Sequence, residues 1–160
     1  MSTREMKKVG TFFYGDGMTV VAIKDGQIAA DTIVTSGNHV LHGQVCKIYK
    51  VPSHCGGGYI GVSGDLASAK ALVAYFLERG ALPSDIKDVS VLWLDANSEV
   101  WCSDGPTWYQ FDAPYYAVGS GEEAALAAMS VGATAEEAVR AACRHVLTCA
   151  EPINSYRIGE

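Results

Sequence analysis

The sequence contains no apolar run near the roughly 20 residues that a membrane-spanning helix needs. The first ten residues carry Arg4, Lys7 and Lys8, but no apolar stretch of signal-peptide length follows them. Basic residues are also scarce: Lys and Arg total 12, in no dense cluster, and the net charge is −6. We therefore expect a cytoplasmic protein that binds neither membranes nor nucleic acid.

The five cysteines form no C-x-x-C pair, and their number is odd. Both facts argue against a disulfide framework and against a structural zinc site. No metal or organic cofactor is expected. At 160 residues, 49% hydrophobic and 19% charged, the chain has the length and composition of one compact domain with a sizeable core.

The clearest local pattern is a hairpin near the start of the chain. Two β-rich runs flank Asp25-Gly26, a pair that favours a tight turn because both turn positions take positive φ. Closing the hairpin at this turn pairs Val20 with Asp31. Thr19 then begins the first strand one step from Asp31, a proximity that follows from the turn alone.

The remaining pattern predicts strands and helices in separate blocks. Strands are predicted at 44–51, 58–63, 88–95, 98–102, 107–111, 115–118 and, in the tail, 153–158. Helices are predicted at 65–79 (between an Asp65 cap and Gly80), 122–131 and 134–149. Antiparallel hairpins combined with blocks of helices indicate an α+β fold, with helices covering two packed sheets.

These features together resemble a known family. A strand beginning in Thr19, an Ala-Ala-Asp triplet ending at Asp31, Lys47 16 residues later, and a Gly-x-x-Gly segment at 61–64 before a helix are similar to proteasome β-subunits and their HslV-type bacterial relatives. The resemblance extends to about Cys149. It implies the four-layer αββα sandwich of N-terminal nucleophile hydrolases and a threonine peptidase activity.

The chemistry of this class requires a free N-terminus at the nucleophile. A threonine hydroxyl must lose its proton to a base, and the α-amine of the same residue, with a pKa of roughly 7.7–8.0, serves as that base. The first hairpin is shorter than in most proteasome subunits by an even number of residues. This parity preserves the facing of each side chain and favours Thr19 over Met18 as the nucleophile.

Residues 1–18 are accordingly interpreted as an N-terminal extension that must be removed, followed by a single domain at 19–160. The extension is a propeptide, a misassigned start, or a sequence added artificially. Translation from Met18 would expose Thr19 directly, because methionine before a small residue is a substrate for methionine aminopeptidase. Proteasome precursors usually carry Gly at the position of Met18.

The resemblance also assigns supporting roles. Lys47 lowers the pKa of the Thr19 hydroxyl, and Asp31 orients Lys47. The backbone N–H of Gly64 stabilises the oxyanion. Ser120, in a Gly-Ser-Gly segment, supports the α-amine of Thr19.

The end of the chain departs from the family, because the later Asp and Ser of proteasome subunits have no clean counterpart. Glu151 and Ser155 are the candidates for those positions, and a final strand is expected to be reduced or lost. The partners implied are a peptide or unfolded-protein substrate, a homo-oligomeric ring and an ATP-dependent unfoldase.

Two alternatives remain open at this point. The chain is alternatively a catalytically inactive proteasome-like structural or assembly subunit that retains its extension. Otherwise it is an amidase of the same class acting on a small molecule. The joint presence of Thr19, Asp31 and Lys47 favours a catalytic subunit over an inactive one.

Overall fold

The computed structural model describes residues 19–36, 39–104, 106–110 and 112–160. The predicted first hairpin is confirmed: it consists of β1 (Val20–Lys24) and β2 (Gln27–Ala30). Asp25 and Gly26 connect the strands with φ of 49° and 72°, as a tight hairpin turn requires. The predicted register is also confirmed, because the Asp31 N–H donates to the Val20 carbonyl at 3.3 Å.

Two antiparallel sheets carry most of the strands. The first has the order β10-β1-β2-β11, where β10 is Tyr115–Gly119 and β11 is Asn154–Arg157. The second follows chain order through β5 (Ile48–Lys50), β6 (Tyr59–Gly64), β7 (Val89–Leu94), β8 (Val100–Asp104) and β9 (Thr107–Gln110). The strands β3 (Ile33–Ser36) and β4 (His39–Gln44) pair with each other.

The described residues contain three α-helices and one short 3-10 helix, Ser53–Cys55. Helix α1 (Leu66–Arg79) is capped by Asp65, whose side chain accepts the Ser68 N–H, and it ends at Gly80 with a φ of 70°. Helix α2 comprises Glu122–Ser130. Helix α3 (Ala135–His145) opens with the predicted capping box of Thr134 and Glu137.

Three clusters of buried side chains join these elements into four layers. Helices α2 and α3 cover the outer face of the first sheet through small residues such as Ala125 and Ala138. The two sheets meet through a second cluster, which includes Ile28 and Leu92. Helix α1 packs on the far face of the second sheet around Phe76. The predicted α+β fold with an αββα sandwich is confirmed.

Some boundaries differ from prediction, and each difference bears on the site. The β3–β4 hairpin was not predicted, and the strand predicted at 44–51 begins only at Ile48. Because β4 pairs with β3 and β5 pairs with β6, the chain must change sheets at 45–47, which places Lys47 in a connecting segment. The final strand, expected to be reduced or lost, is present as the four-residue β11.

Candidate active site

Asp31 lies at the centre of the candidate site, immediately after β2. Its Oδ1 atom accepts three hydrogen bonds: from the Thr19 hydroxyl, from the Val20 N–H at 3.1 Å and from Lys47 Nζ at 2.8 Å. Its Oδ2 atom accepts the Ala150 N–H at 3.2 Å. The carboxylate is fully buried, so these donors replace water and hold it in one orientation.

Lys47 reaches Thr19 from the segment between the two hairpins. Its Nζ atom donates to Thr19 Oγ1 as well as to the Asp31 carboxylate. The residue is buried, and burial lowers the pKa of Lys47 below its ordinary value, although the Asp31 carboxylate opposes that shift. The hydroxyl of Thr19 therefore lies between a lysine cation and the carboxylate that neutralises it.

The segment Gly119–Gly121 encloses the main chain of Thr19. Ser120 Oγ donates to the Thr19 carbonyl at 3.2 Å, and so does the Gly121 N–H, also at 3.2 Å. Gly119 has a φ of 106°, and a Cβ atom there would lie 2.3 Å from the Thr19 carbonyl oxygen. Ser120 therefore contacts Thr19 directly, but its hydrogen bond goes to the Thr19 carbonyl and not to the nitrogen.

Gly64 ends β6, where the chain turns into α1. Its φ is 121°, and a Cβ atom would lie 2.0 Å from the Asp88 carbonyl oxygen. Any larger residue would therefore be strained and would collide with the neighbouring strand. Within the described residues, no hydrogen bond joins Gly64 to Thr19, Asp31 or Lys47, and its oxyanion role stays a prediction.

The segment after α3 supplies two groups that the sequence did not reveal. The Thr148 hydroxyl lies 2.7 Å from Ser120 Oγ, and the Ala150 N–H binds Asp31. Helix α3 was predicted to continue to Cys149 but ends at His145. The basic pair Arg144-His145 in the last turn is typical of a helix C-terminus and would have placed Thr148 beyond the helix.

The two residues suggested for the family's later Asp and Ser point elsewhere. The Glu151 carboxylate accepts a hydrogen bond from Arg140 Nε at 3.1 Å on the surface. Ser155 lies in β11, opposite Ala29. Thr148, rather than either of these, provides the hydroxyl that contacts Ser120.

Two thiols, those of the buried Cys149 and the half-buried Cys143, lie near the same charges. Burial raises the pKa of Cys149 to about 12 and that of Cys143 to about 11, and the Asp31 carboxylate adds to both shifts. All five cysteines are free. Among the described residues, no group of three or more His, Cys, Asp or Glu side chains is placed to hold a metal ion.

Across the described ranges, none of the helices is both long enough and apolar enough to cross a membrane.

The arrangement is suited to activating a hydroxyl. A lysine cation at Oγ1 stabilises the alkoxide form of Thr19, and the carboxylate keeps that cation in position. Thr19, Lys47 and Asp31 come from three separate segments, and a fourth, Gly119–Gly121, fixes the backbone of Thr19. Side chains at sequence distances of 12 to 28 residues therefore form one hydrogen-bonded group.

Comparison with solved structures supports this fold. The chain superimposes on "Thiobacillus denitrificans BPH in complex with Epoxomicin" with a TM-score of 0.66 and 19% identity, over 89% of this chain and 99% of that one. It also matches "Thiobacillus denitrificans BPH" (TM-score 0.63, 21% identity, 86% and 95% covered) and "eukaryotic HslV from Trypanosoma brucei" (0.64, 20%, 86% and 97%). The chain therefore has the proteasome/HslV-like fold.

No protein-family model matches the chain, and no curated protein matches it by sequence.

Proposed function

We propose that this protein is a threonine peptidase of the proteasome/HslV kind, active once Thr19 is the first residue. The observation that supports this most strongly is the hydrogen-bonded group of Thr19, Lys47 and Asp31, all buried at one end of the sandwich. An ordinary strand-initiating threonine has no need of a buried cation, which is costly to desolvate.

The proposed reaction begins with attack of Thr19 Oγ1 on the substrate carbonyl carbon. The hydroxyl proton passes to the α-amine, and the Lys47 cation stabilises the developing alkoxide. The Gly64 N–H stabilises the oxyanion of the tetrahedral intermediate. As the C–N bond breaks, the α-ammonium returns its proton to the leaving amine and an ester to Thr19 remains.

Water then completes the cycle. The α-amine takes a proton from water, the hydroxide attacks the ester carbonyl, and the C–O bond to Thr19 breaks. The α-ammonium returns its proton to the Thr19 oxygen, which regenerates the free amine and hydroxyl, and the carboxylic acid product leaves. Lys47 and Asp31 keep their charges throughout, because their task is to stabilise the alkoxide at both stages.

We further propose a homo-oligomeric assembly acting on peptides or unfolded protein. Leu147 is 98% exposed and Val131 is 87% exposed, and burying such side chains against a second copy would be favourable. Leu147 directly precedes Thr148, so an interface there would lie next to the site. An ATP-dependent unfoldase partner is proposed from the fold likeness alone. Measuring the size of the assembly without and with candidate ATPases tests the homo-oligomer and the unfoldase partner respectively.

The test of the peptidase proposal uses the full chain, a Thr19→Ala variant and the matched control Thr107→Ala, which removes an exposed threonine in β9. The mature N-terminus is determined by intact mass and N-terminal sequencing. Each protein is then incubated with epoxomicin, the ligand of the BPH structure. We expect a mature chain that begins at Thr19 and one adduct on Thr19, absent only in Thr19→Ala.

The opposite result would favour the inactive-subunit alternative. A chain that always begins before Thr19 and forms no adduct carries no base at its nucleophile, and the peptidase proposal would be rejected. An exposed Thr19 that forms the adduct but cleaves no peptide would favour the small-molecule amidase.

A further inference from the structure

Ser63 is a buried hydroxyl near the nucleophile that the proposed reaction does not use. Along β6, Ile60 and Val62 pack toward α1. Gly61 faces the other way, because a Cβ atom there would lie 2.5 Å from Val21 Cγ1 in the first sheet. Side chains alternate along a strand, so Ser63 also faces the first sheet.

Ser63 reaches the end of the first sheet where Thr19 lies. A Cβ atom on Gly119 would be 3.1 Å from Ser63 Oγ and 2.3 Å from the Thr19 carbonyl oxygen. Gly119 is also the cross-strand partner of Val20. The hydroxyl of Ser63 is therefore close to the main chain of Thr19.

Ser63 approaches Thr19 on the side of its main chain that faces β10. The main-chain N–H and C=O of Val20 bond to Asp31. The Thr19 carbonyl instead points toward β10, where it accepts the Gly121 N–H. The N–H and C=O of one strand residue point the same way, so the nitrogen of Thr19 also faces β10.

The Ser63 hydroxyl is available for a new partner. The residue is only 4% exposed, and no hydrogen bond joins its hydroxyl to another of the residues that the structure describes. Among those residues Trp108 Nε1 is the fully buried side-chain polar atom without a partner, so the Ser63 Oγ atom is not completely enclosed. The Ser63 Oγ atom can therefore accept a hydrogen bond without giving up one to these residues. The free α-amine of a mature Thr19 is a group that arrives at this place only after residues 1–18 are removed.

We infer that Ser63 positions the catalytic base: its Oγ atom accepts an N–H hydrogen bond from the α-amine of mature Thr19. The inference rests on the proposed function. A neutral amine has two N–H groups and one lone pair, so fixing an N–H turns the lone pair toward the Thr19 hydroxyl. Ser63 gains and loses no proton in the reaction.

The hydrogen bond also has a predictable effect on titration. An ammonium group donates a stronger hydrogen bond than a neutral amine. Ser63 therefore favours the protonated form, and removing its hydroxyl lowers the pKa of the α-amine. A purely structural role would change stability but would not move this titration.

The experiment measures the rate of epoxomicin adduct formation on Thr19 against pH, in full-length protein matured to Thr19. Ser63→Ala is compared with Ser63→Cys, which keeps the size but replaces the hydroxyl by a weak acceptor. The matched control is Ser90→Ala, because Ser90 is the cross-strand partner of Ser63 in β7. Thermal unfolding of all variants is recorded in parallel.

We expect both Ser63 variants to react about five- to tenfold more slowly than the wild type, the value of one lost hydrogen bond. The acidic limb of their rate–pH profile should move to lower pH. Ser90→Ala should match the wild type in both rate and pH profile. If the wild type reacts and the Ser63 variants have the same rate and pH profile as the wild type, the role of Ser63 is rejected while the peptidase proposal stands. If the wild type itself forms no adduct, the peptidase proposal fails and this inference fails with it.

Discussion

Lys47 Nζ and Asp31 Oδ1 lie 2.8 Å apart at the end of the sandwich, with side chains that are 9% and 0% exposed. A buried pair of this kind is weak evidence for stability, because desolvating both charges offsets their attraction. Its arrangement is informative instead: the Thr19 hydroxyl bonds to both partners. The pair therefore supplies a cation at a hydroxyl without a net charge in the interior.

Removing the cation tests its part in activation. Lys47→Ala should keep the fold and the oligomer but reduce adduct formation on Thr19 by at least about 100-fold, the scale of losing a positioned catalytic group. The control is Lys50→Ala, an exposed lysine in β5. Undiminished adduct formation in Lys47→Ala would remove Lys47 from the mechanism.

Removing the carboxylate tests the electrostatic balance. Asp31→Asn keeps the shape of the side chain but leaves Lys47 as an uncompensated buried charge, which should cost about 3–5 kcal/mol of unfolding free energy. Urea denaturation measures this loss. The double variant Asp31→Asn/Lys47→Met removes both charges and should recover much of the stability without any activity. Equal instability in the single and double variants would contradict this account.

The depressed pKa of Lys47 predicts an early alkaline limit. Burial makes Lys47 lose its proton at a lower pH than an ordinary lysine, and the cation that activates Thr19 is lost with that proton. The adduct rate should therefore fall as pH rises, before the ordinary lysine pKa of 10.5 is reached. The free energy of unfolding changes in the opposite direction. Between the lowered pKa of Lys47 in the folded state and its ordinary pKa in the unfolded state, the unfolded chain binds more protons, so the contribution of Lys47 to stability rises with pH. Rate and urea-unfolding profiles between pH 7 and pH 11 measure both effects.

Gly119 and Gly132 form a matched pair for testing the enclosure of Thr19. Their φ values are 106° and 108°, but a Cβ atom on Gly132 would meet nothing within 4 Å. Gly132→Ala should therefore cost only the backbone strain, about 1 kcal/mol. Gly119→Ala adds a collision with the Thr19 carbonyl oxygen and should lose substantially more stability, together with adduct formation. Similar unfolding midpoints for the two variants would show that the contact is not tight.

Thiol reactivity provides an independent check on the environment of the site. Cys46 is exposed, whereas burial raises the pKa of Cys143 to about 11 and that of Cys149 to about 12. Iodoacetamide at pH 8 should therefore modify Cys46 in the native protein and leave the other two unmodified until the chain unfolds. Peptide mass analysis shows which thiols react. Rapid modification of Cys149 in the native protein would mean that solvent and reagent reach the site beside Cys149.

The parts of the site that the sequence predicts are those fixed by local geometry. The Asp25-Gly26 turn sets the register of one hairpin, and that register alone brings Thr19 beside Asp31. The role of Lys47 could be predicted only from the family resemblance, because Lys47 reaches Thr19 from a segment that connects two different sheets. Its predicted place on a strand was wrong for the same reason.

The groups that were missed depend on contacts between distant segments. The predicted helix to Cys149 stops at His145, and the chain beyond it turns inward so that Ala150 can bond to Asp31, 119 residues away. Local secondary-structure propensity cannot predict a hydrogen bond between residues so far apart in the sequence. The sequence places Ser63 in a Gly-x-x-Gly segment but does not show that its side chain points toward Thr19, because that direction depends on how the two sheets pack.

The Asp31 carboxylate joins amides from opposite ends of the domain, the Val20 N–H at its beginning and the Ala150 N–H near its end. A ribosome releases these two amides at very different times. Until Ala150 has emerged, the nascent chain can present Thr19 and Lys47 but cannot complete the hydrogen bonds around the carboxylate that holds them. Thr19 and Lys47 are therefore synthesised early but secured late, so an unfinished chain lacks the completed hydrogen-bonded group around Asp31.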